Sequence, residues 1–373
     1  MNDLSSAVPA RSAHHPHHSG TTRGTRRATR SVARGGLVAV LVLVSVVVGA
    51  CGSDNGSDNT KDAAGTTGSA KLEKFTVVLD WTPNTNHSGM FLADARGWYS
   101  EAGLDVEFVE PGDSSSIQLL AGGKADVAVS VSEEVVPARA EGLPVRSVAA
   151  VIEHNTSSLV SLASAGIERP RDLEGRTYGG WGGQLEEALL HELVSCDGGD
   201  PSKVEFVEVG EADYRIGMER GQYDTVWIYD GWDGIRLTEI DGVDLNRIAF
   251  IDHTDCIPDW YTPVLASSDD VMADRPEDLR AFLAATRRGY QAAMDDPKAA
   301  ADAVIEVAPD LDSDLVERSA RFLADQYSAD PETWGQQDAK IWERFTAFLV
   351  KAGMVEAGFD STQAWTGEFL DPS

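Results

Sequence analysis

Four short segments carry side chains suited to gripping a flat, nitrogen-rich molecule. Asp80-Trp81-Thr82-Pro83-Asn84-Thr85-Asn86-His87-Ser88-Gly89 brings an indole, two amides and an imidazole together in ten residues. Gly179-Gly180-Trp181-Gly182-Gly183-Gln184 surrounds an indole with glycines, which would let the backbone approach a ligand at Gly180 and Trp181. Tyr229-Asp230-Gly231-Trp232 and Asp259-Trp260-Tyr261 add further rings and carboxylates. Planar heterocycles stack on such rings, and carboxylates accept hydrogen bonds from amino groups. Ser132-Glu133-Glu134 adds two adjacent carboxylates at a helix start. No lysine lies between Lys124 and Lys203, and none of these segments holds an arginine or lysine. A phosphate, sulfonate or nitrate ligand would want such cations.

Each candidate has a plainer alternative. His87 can brace its loop instead of meeting ligand. One of Glu133 and Glu134 can serve only the helix dipole. Tyr229 and Trp232 can fill a core, as Trp98, Trp334 and Trp342 are expected to do from their helical spacing. No cysteine or histidine spacing suggests a metal site, and no cofactor is expected.

The elements that must position these residues alternate strand and helix, which argues for parallel βαβ units. The first cycle comprises Phe75–Leu79, Gly89–Trp98, Val106–Val109, Ile117–Ala121, Val127–Val131, Glu133–Ala140 and Val145–Ile152. The second comprises Arg176–Gly179, Leu185–Val194, Val204–Val209, Asp213–Arg220 and Thr225–Tyr229, after which the chain runs on past Pro258 through Pro263–Ser267. From Pro276 to about Ala352 the pattern is almost wholly helical, a tail expected to pack back on the first lobe. The expected fold class is α/β with two lobes: residues 71–162 and 263–373 form lobe 1, and residues 163–262 form lobe 2. The chain then crosses between lobes near Leu162 and Thr262. Ligands of open α/β sheets bind beyond the carboxyl ends of strands, and pockets favour domain interfaces. These ligand-gripping segments fall at those ends, so a cleft between lobes is expected.

The N-terminus reads as an address. Arg23, Arg26, Arg27, Arg30 and Arg34 precede an apolar run from Leu37 to Val48, and Val48-Gly49-Ala50-Cys51 follows as a lipobox. The run is short for a membrane-crossing helix. Residues 1–50 are expected to be removed, Cys51 lipidated, and residues 51–70, rich in Gly, Ser, Asp and Thr, to act as a flexible tether from the membrane. The remaining 323 residues hold 25 basic against 60 acidic side chains, which excludes nucleic acid as a partner. Cys196 and Cys256 are then the remaining thiols, and their spacing leaves a disulfide open.

Leu79-Asp80-Trp81-Thr82-Pro83-Asn84 with His87, Gly97-Trp98-Tyr99, Gly123-Lys124-Ala125-Asp126, Asp172-Leu173-Glu174-Gly175 and Pro258-Asp259-Trp260-Tyr261-Thr262-Pro263-Val264 resemble the thiamine-pyrimidine-precursor group of ABC transporter substrate-binding lipoproteins. The resemblance covers about residues 74 to 300. It implies a type II periplasmic-binding fold, an ABC permease as partner, and capture of a formylaminopyrimidine or hydroxymethylpyrimidine, with riboflavin or another planar heterocycle as the alternative ligand. It also places Glu134 against the aminopyrimidine edge. The same superfamily includes a fungal pyrimidine synthase that holds pyridoxal phosphate on a lysine. Aligned through Asp126-Val127-Ala128-Val129, that position is Ser130 here, which cannot form a Schiff base, and the synthase histidine position is Glu134. The synthase's cysteine-rich segment would fall near Cys256, where one cysteine stands. A receptor is expected, not an enzyme.

Overall fold

A computed structural model describes residues 71–370 except 211 and 212. The expected signal segment, lipidated Cys51 and tether lie outside the described residues. The strands are β1 (Glu73–Val78), β2 (Leu104–Val109), β3 (Val127–Ser130), β4 (Val145–Ala150), β5 (Ser157–Leu162), β6 (Thr177–Gly180), β7 (Glu205–Glu208), β8 (Thr225–Tyr229), β9 (Leu245–Ala249) and β10 (Val264–Ser268). The helices are α1 (Ser88–Ala95), α2 (Trp98–Glu101), α3 (Ser116–Ala121), α4 (Ser132–Ala140), α5 (Gln184–Cys196), α6 (Tyr214–Glu219), α7 (Asp269–Asp274), α8 (Pro276–Asp295), α9 (Pro297–Val307), α10 (Ser313–Ala324) and α11 (Ala339–Lys351).

Two five-stranded sheets result, ordered β2-β1-β3-β10-β4 and β7-β6-β8-β5-β9. In the first, β1 runs parallel to β2 and β3, while β10 enters antiparallel between β3 and β4. In the second, β6 runs parallel to β7 and β8, while β5 enters antiparallel between β8 and β9. The two sheets repeat one plan, so β1 corresponds to β6 and β3 to β8. The loops beyond β1 and β6, and those beyond β3 and β8, are therefore equivalent in position. β3 is buried along its whole length, as a covered central strand of small and β-branched residues should be. α8 starts at Pro276 and buries Leu279, Phe282, Leu283, Thr286, Tyr290 and Ala293 at three- and four-residue spacing. It presses against α1 at two glycines: a Cβ on Gly289 would lie 1.9 Å from the Gly89 carbonyl oxygen.

Two expectations are corrected. β5 belongs to the second sheet, so the first crossing lies between Ala150 and Ser157, ahead of the expected Leu162. The return falls between Ala249 and Val264. The tail also does more than cover lobe 1. Its last helix, α11, reaches α5 through Lys351 Nζ to Glu192 Oε2 at 2.6 Å, and Gln184 Nε2 donates to the Ala352 carbonyl at 2.8 Å. Phe345 of α11 stacks on Trp260 with centroids 5.3 Å apart. One apolar cluster consequently runs from Val78 and Ala128 through Trp260, Trp342 and Phe345 to Tyr178 and Leu189. Cys196, at the end of α5, is joined by a disulfide to Cys256 in the return segment.

Candidate functional site

The loop beyond β1 is held from below. The ring nitrogen Nδ1 of His87 accepts the Asn84 backbone N–H at 3.2 Å, which places the proton on Nε2, 2.8 Å from Asp80 Oδ1. The Asn84 side chain accepts from Asn86 N and donates to the Thr82 carbonyl. The hydroxyls of Tyr290 and Tyr327 donate to the carbonyls of Asn86 and Thr85, each at 2.7 Å. With Asn84 and His87 buried and their polar atoms engaged, both shape the loop and do not present themselves to a ligand, contrary to expectation. What the loop does present is Trp81, 53% exposed. So large an apolar ring left in water beside a rigid loop is a contact waiting for a partner.

The equivalent loop beyond β6 presents Trp181, 59% exposed. Its glycines were expected to admit a ligand. They admit Glu186 instead, whose carboxylate accepts from Trp181 N at 3.0 Å, Gly183 N at 2.9 Å and the Tyr178 hydroxyl at 2.6 Å. A Cβ on Gly180 would lie 2.4 Å from the Tyr178 ring and 2.6 Å from Glu186 Oε1. Gly180 therefore makes room for an internal carboxylate. Glu186 was missed because Gly183 has no side chain to complete a capping box; only the return bond, from Gly183 N to Glu186, forms.

Beyond β3, Ser130 is buried and donates to Glu134 Oε2 at 3.2 Å; Ser115, from the turn before α3, does the same at 3.2 Å. Both bonds are long for hydroxyl donors. They orient the exposed Glu134 carboxylate without saturating it. Nothing in the sequence marked Ser115. Glu133 turns inward: its Oε2 and the indole nitrogen of Trp260 are both buried, and the indole is the side-chain donor that faces the carboxyl. Burial pushes Glu133 up to about 8, its own backbone N–H and the Trp260 indole oppose this, and the Glu134 charge adds to it.

Beyond β8, Tyr229 is 39% exposed. Burial of its hydroxyl raises the phenol, followed by the charge of Glu133; Thr262 opposes, and Asp80 and Asp233 add smaller terms of the same sign as Glu133. Asp233 is pushed up to about 6 by burial, with backbone N–H groups of Tyr229 and Asp233 opposing. Trp232 is half-buried and packs on the first lobe's core, so packing accounts for it.

The third expected cluster is structural. Trp260 is 1% exposed, stacked on Phe345 and edge-on to Trp227. Tyr261 is 3% exposed and its hydroxyl accepts from Asp338 N at the start of α11. Asp259 accepts from Asn155 N at 3.0 Å and pairs with His154 Nδ1 at 2.7 Å, tying one crossing segment to the other. The structure leaves Trp81, Glu134, Trp181 and Tyr229 presented at strand ends, with Ser130 supporting Glu134. Concavities of about 360 Å³, beside Arg215 and Asp241, and about 220 Å³, beside Lys124 and Asp126, include none of these residues. Among the described residues no cluster of His, Cys, Asp or Glu could hold a metal ion.

Two α/β lobes of identical plan, joined by paired crossings and bearing aromatic residues at equivalent strand ends, define a periplasmic-binding-protein fold. The aliphatic sulphonate binding protein SsuA of Escherichia coli superimposes with a TM-score of 0.62 over 78% of this chain and 91% of its own, at 14% identity. Residues 84–300 match the NMT1/THI5-like family, and the chain belongs to that family. It is 30% identical to the formylaminopyrimidine-binding protein of Halalkalibacterium halodurans over 288 residues, 74% of this chain and 85% of the relative. It is also 24% identical to the 4-amino-5-hydroxymethyl-2-methylpyrimidine phosphate synthase of Legionella pneumophila, over 81% of this chain and 94% of the relative. A substrate-binding role follows from this kinship; the family resemblance read from the motifs holds.

Proposed function

We propose that this chain is the extracytoplasmic, lipid-anchored receptor of an ABC importer and that it captures a thiamine pyrimidine precursor, a formylaminopyrimidine or hydroxymethylpyrimidine, between its lobes. The observation that carries this reading is the pair of indoles, Trp81 and Trp181, each more than half exposed at equivalent loops of the two lobes. A flat ring lying between them would recover stacking on both faces as the lobes close. The Glu134 side chain, oriented by Ser115 and Ser130, supplies an acceptor for an amino group. The relative from Halalkalibacterium supports the same ligand class.

Synthase relatives raise the enzyme reading, and the cleft residues speak against it. Pyridoxal phosphate needs an amine to form its Schiff base, whereas the matching position holds Ser130, whose hydroxyl is engaged by Glu134. The residues present do not fit that cofactor.

Calorimetric titration tests the reading directly. Formylaminopyrimidine should bind the mature protein, and Glu134→Gln should weaken it by about 1.5–3 kcal/mol, the usual worth of a hydrogen bond to a charged group. Lys340→Ala, on an exposed turn of α11, should change nothing. Riboflavin binding with the same response to Glu134→Gln would keep the site and change the ligand. Tight alkylsulfonate binding indifferent to Glu134 would overturn both.

A further inference from the structure

Helix α10 carries a hydroxyl where packing alone asks for none. Val316, Ala320 and Leu323 put its inner face into the first lobe's core, and Ser319 lies beside them with 0% exposure. A buried hydroxyl costs free energy unless it is bonded. Ser319 is bonded twice, and both partners belong to segments that present aromatic rings. Its O–H donates to the carbonyl of Gly231, two residues beyond Tyr229 on the second lobe. A serine hydroxyl has one hydrogen, so its oxygen is the acceptor in the contact with Thr85, whose hydroxyl lies 2.5 Å away in the loop that presents Trp81. Thr85 is itself buried, and its carbonyl accepts from the hydroxyls of Tyr327 and Ser88, each at 2.7 Å. The first lobe therefore holds Thr85 firmly, and Ser319 passes that hold across the lobe boundary.

The surrounding contact admits little play. A Cβ on Gly231 would lie 3.0 Å from Phe322 Cδ1 and 3.1 Å from Leu323 Cδ2, so glycine lets this segment lie directly against α10. Asp230 N donates to the Thr156 carbonyl in the first crossing at 3.0 Å, and Trp232 packs on the first lobe's core. Arg318 pairs with Glu239 at 2.8 Å on the rim of the same contact, but both are more than a third exposed and the pair contributes little. The buried relay is different: neither of its bonds can be exchanged for a bond to water unless the segments separate.

We propose that Ser319 is a positioning residue for ligand capture: the relay from Thr85 through Ser319 to Gly231 fixes the spacing between the loop beyond β1 and the segment beyond β8, and with it the placement of Trp81 relative to Tyr229. Ser319 itself touches no ligand. It stands in the helical tail, beyond the residues 84–300 that match the family, so the tail supplies the register in which the two lobes meet. The proposal rests on the capture reading above for its ligand measurements alone.

The test compares wild type with Ser319→Ala, Thr85→Val, the double variant, Thr85→Ser and Gly231→Ala, reading release of formylaminopyrimidine by stopped-flow fluorescence. Ser319→Ala and Thr85→Val should each speed release about tenfold, and the double variant should be no faster than the quicker single one, because one relay is broken in all three. Thr85→Ser keeps the hydroxyl and should release at the wild-type rate. Gly231→Ala wedges the contact apart without removing a hydroxyl and should also speed release, which keeps the test alive where Ser319→Ala does not fold. Thr286→Val removes an equally buried hydroxyl, bonded to Tyr99 at 2.8 Å, and should lower the melting temperature without changing release. Unchanged release in Ser319→Ala or Gly231→Ala, additive effects in the double variant, or equally fast release from Thr286→Val would overturn the inference and leave the receptor reading intact. Hydrogen exchange needs no ligand: in Ser319→Ala the amides of residues 85–87 and 231–233 should exchange about tenfold faster on both sides of the lobe boundary. Faster exchange confined to α10 would refute the relay. No binding by wild type would overturn the ligand reading, and the exchange measurement then decides the role of Ser319 by itself.

Discussion

Replacing Glu133 by glutamine should stabilise the ligand-free protein, by an amount that grows with pH. The carboxyl lies in burial sufficient to raise it from 4.5 to about 8. The folded state therefore holds this proton more tightly than the unfolded chain does. Stability contributed by the proton is complete below pH 4.5 and is lost as the pH rises toward 8, because the unfolded chain ionises freely and the folded one does not. Glutamine is nearly isosteric and never ionises, so its curve lacks this loss. At about 1.4 kcal/mol per pH unit, the difference near pH 7 comes to about 3 kcal/mol, and it levels off above about pH 8. Local relaxation of the α4 start would trim that figure. Even a third of it, about 1 kcal/mol, would move the midpoint by about 2 °C in a protein of this size, enough to separate the two curves across a pH series. Melting wild type and Glu133→Gln side by side from about pH 4.5 to about pH 9 is the assay, with the two curves coinciding at the acid end. Curves that stay parallel across the range would refute the argument, since they would mean that Glu133 titrates alike in both states. The measurement needs no ligand and so stands apart from the identity of what is bound.

Other outcomes follow from particular contacts. Trp81→Ala and Trp181→Ala should each weaken pyrimidine binding, by about 0.5–1.5 kcal/mol beyond lost area, with little change in melting because both rings are exposed; calorimetry and thermal melts read the two effects separately. Removing the Cys196–Cys256 bridge, which closes a span of 60 residues, should cost about 4 kcal/mol in chemical unfolding of Cys196→Ser/Cys256→Ser. The hydrogen bond and charge of Asp259 hold His154 above the ordinary imidazole value of 6.5 against partial burial. Their stabilisation is accordingly present below pH 6.5 and fades as pH rises through the raised value, a dependence that Asp259→Asn should abolish in pH-resolved melts.

The strand-helix alternation was legible because the strands around the cleft are short apolar runs bounded by glycine. β5 was not, and its chemistry explains why. Ser157-Ser158-Leu159-Val160-Ser161-Leu162 carries three hydroxyls, the composition of a loop, yet the serines are buried. Ser158 donates to Asp230 at 2.9 Å. Ser161 donates to the Ile167 carbonyl at 3.4 Å, so two of the three hydroxyls are answered inside the fold, and the stronger partner, Asp230, lies 72 positions along the chain. Missing this strand moved the first crossing. The same limit governed Asp259, Trp260 and Tyr261, which have the types of a binding loop. Asp259 is claimed by residues more than a hundred positions away, His154 and Asn155, and Tyr261 by the start of α11. Residue type shows what a side chain can bond, and only the fold shows whether it is already bonded.

Glu133 and Glu134 make the sharper case. Neighbours on a helix point about 100° apart, so Glu134 faces solvent while Glu133 turns its Oε2 inward. Nothing in two consecutive glutamates says which does which. The fold separates them through groups on other elements: Ser115 before α3 and Ser130 at the end of β3 reach Glu134, while Trp260 from the return crossing closes over Glu133. Two chemically unlike environments then stand one residue apart, built around the same side chain by groups that the rest of the fold supplies.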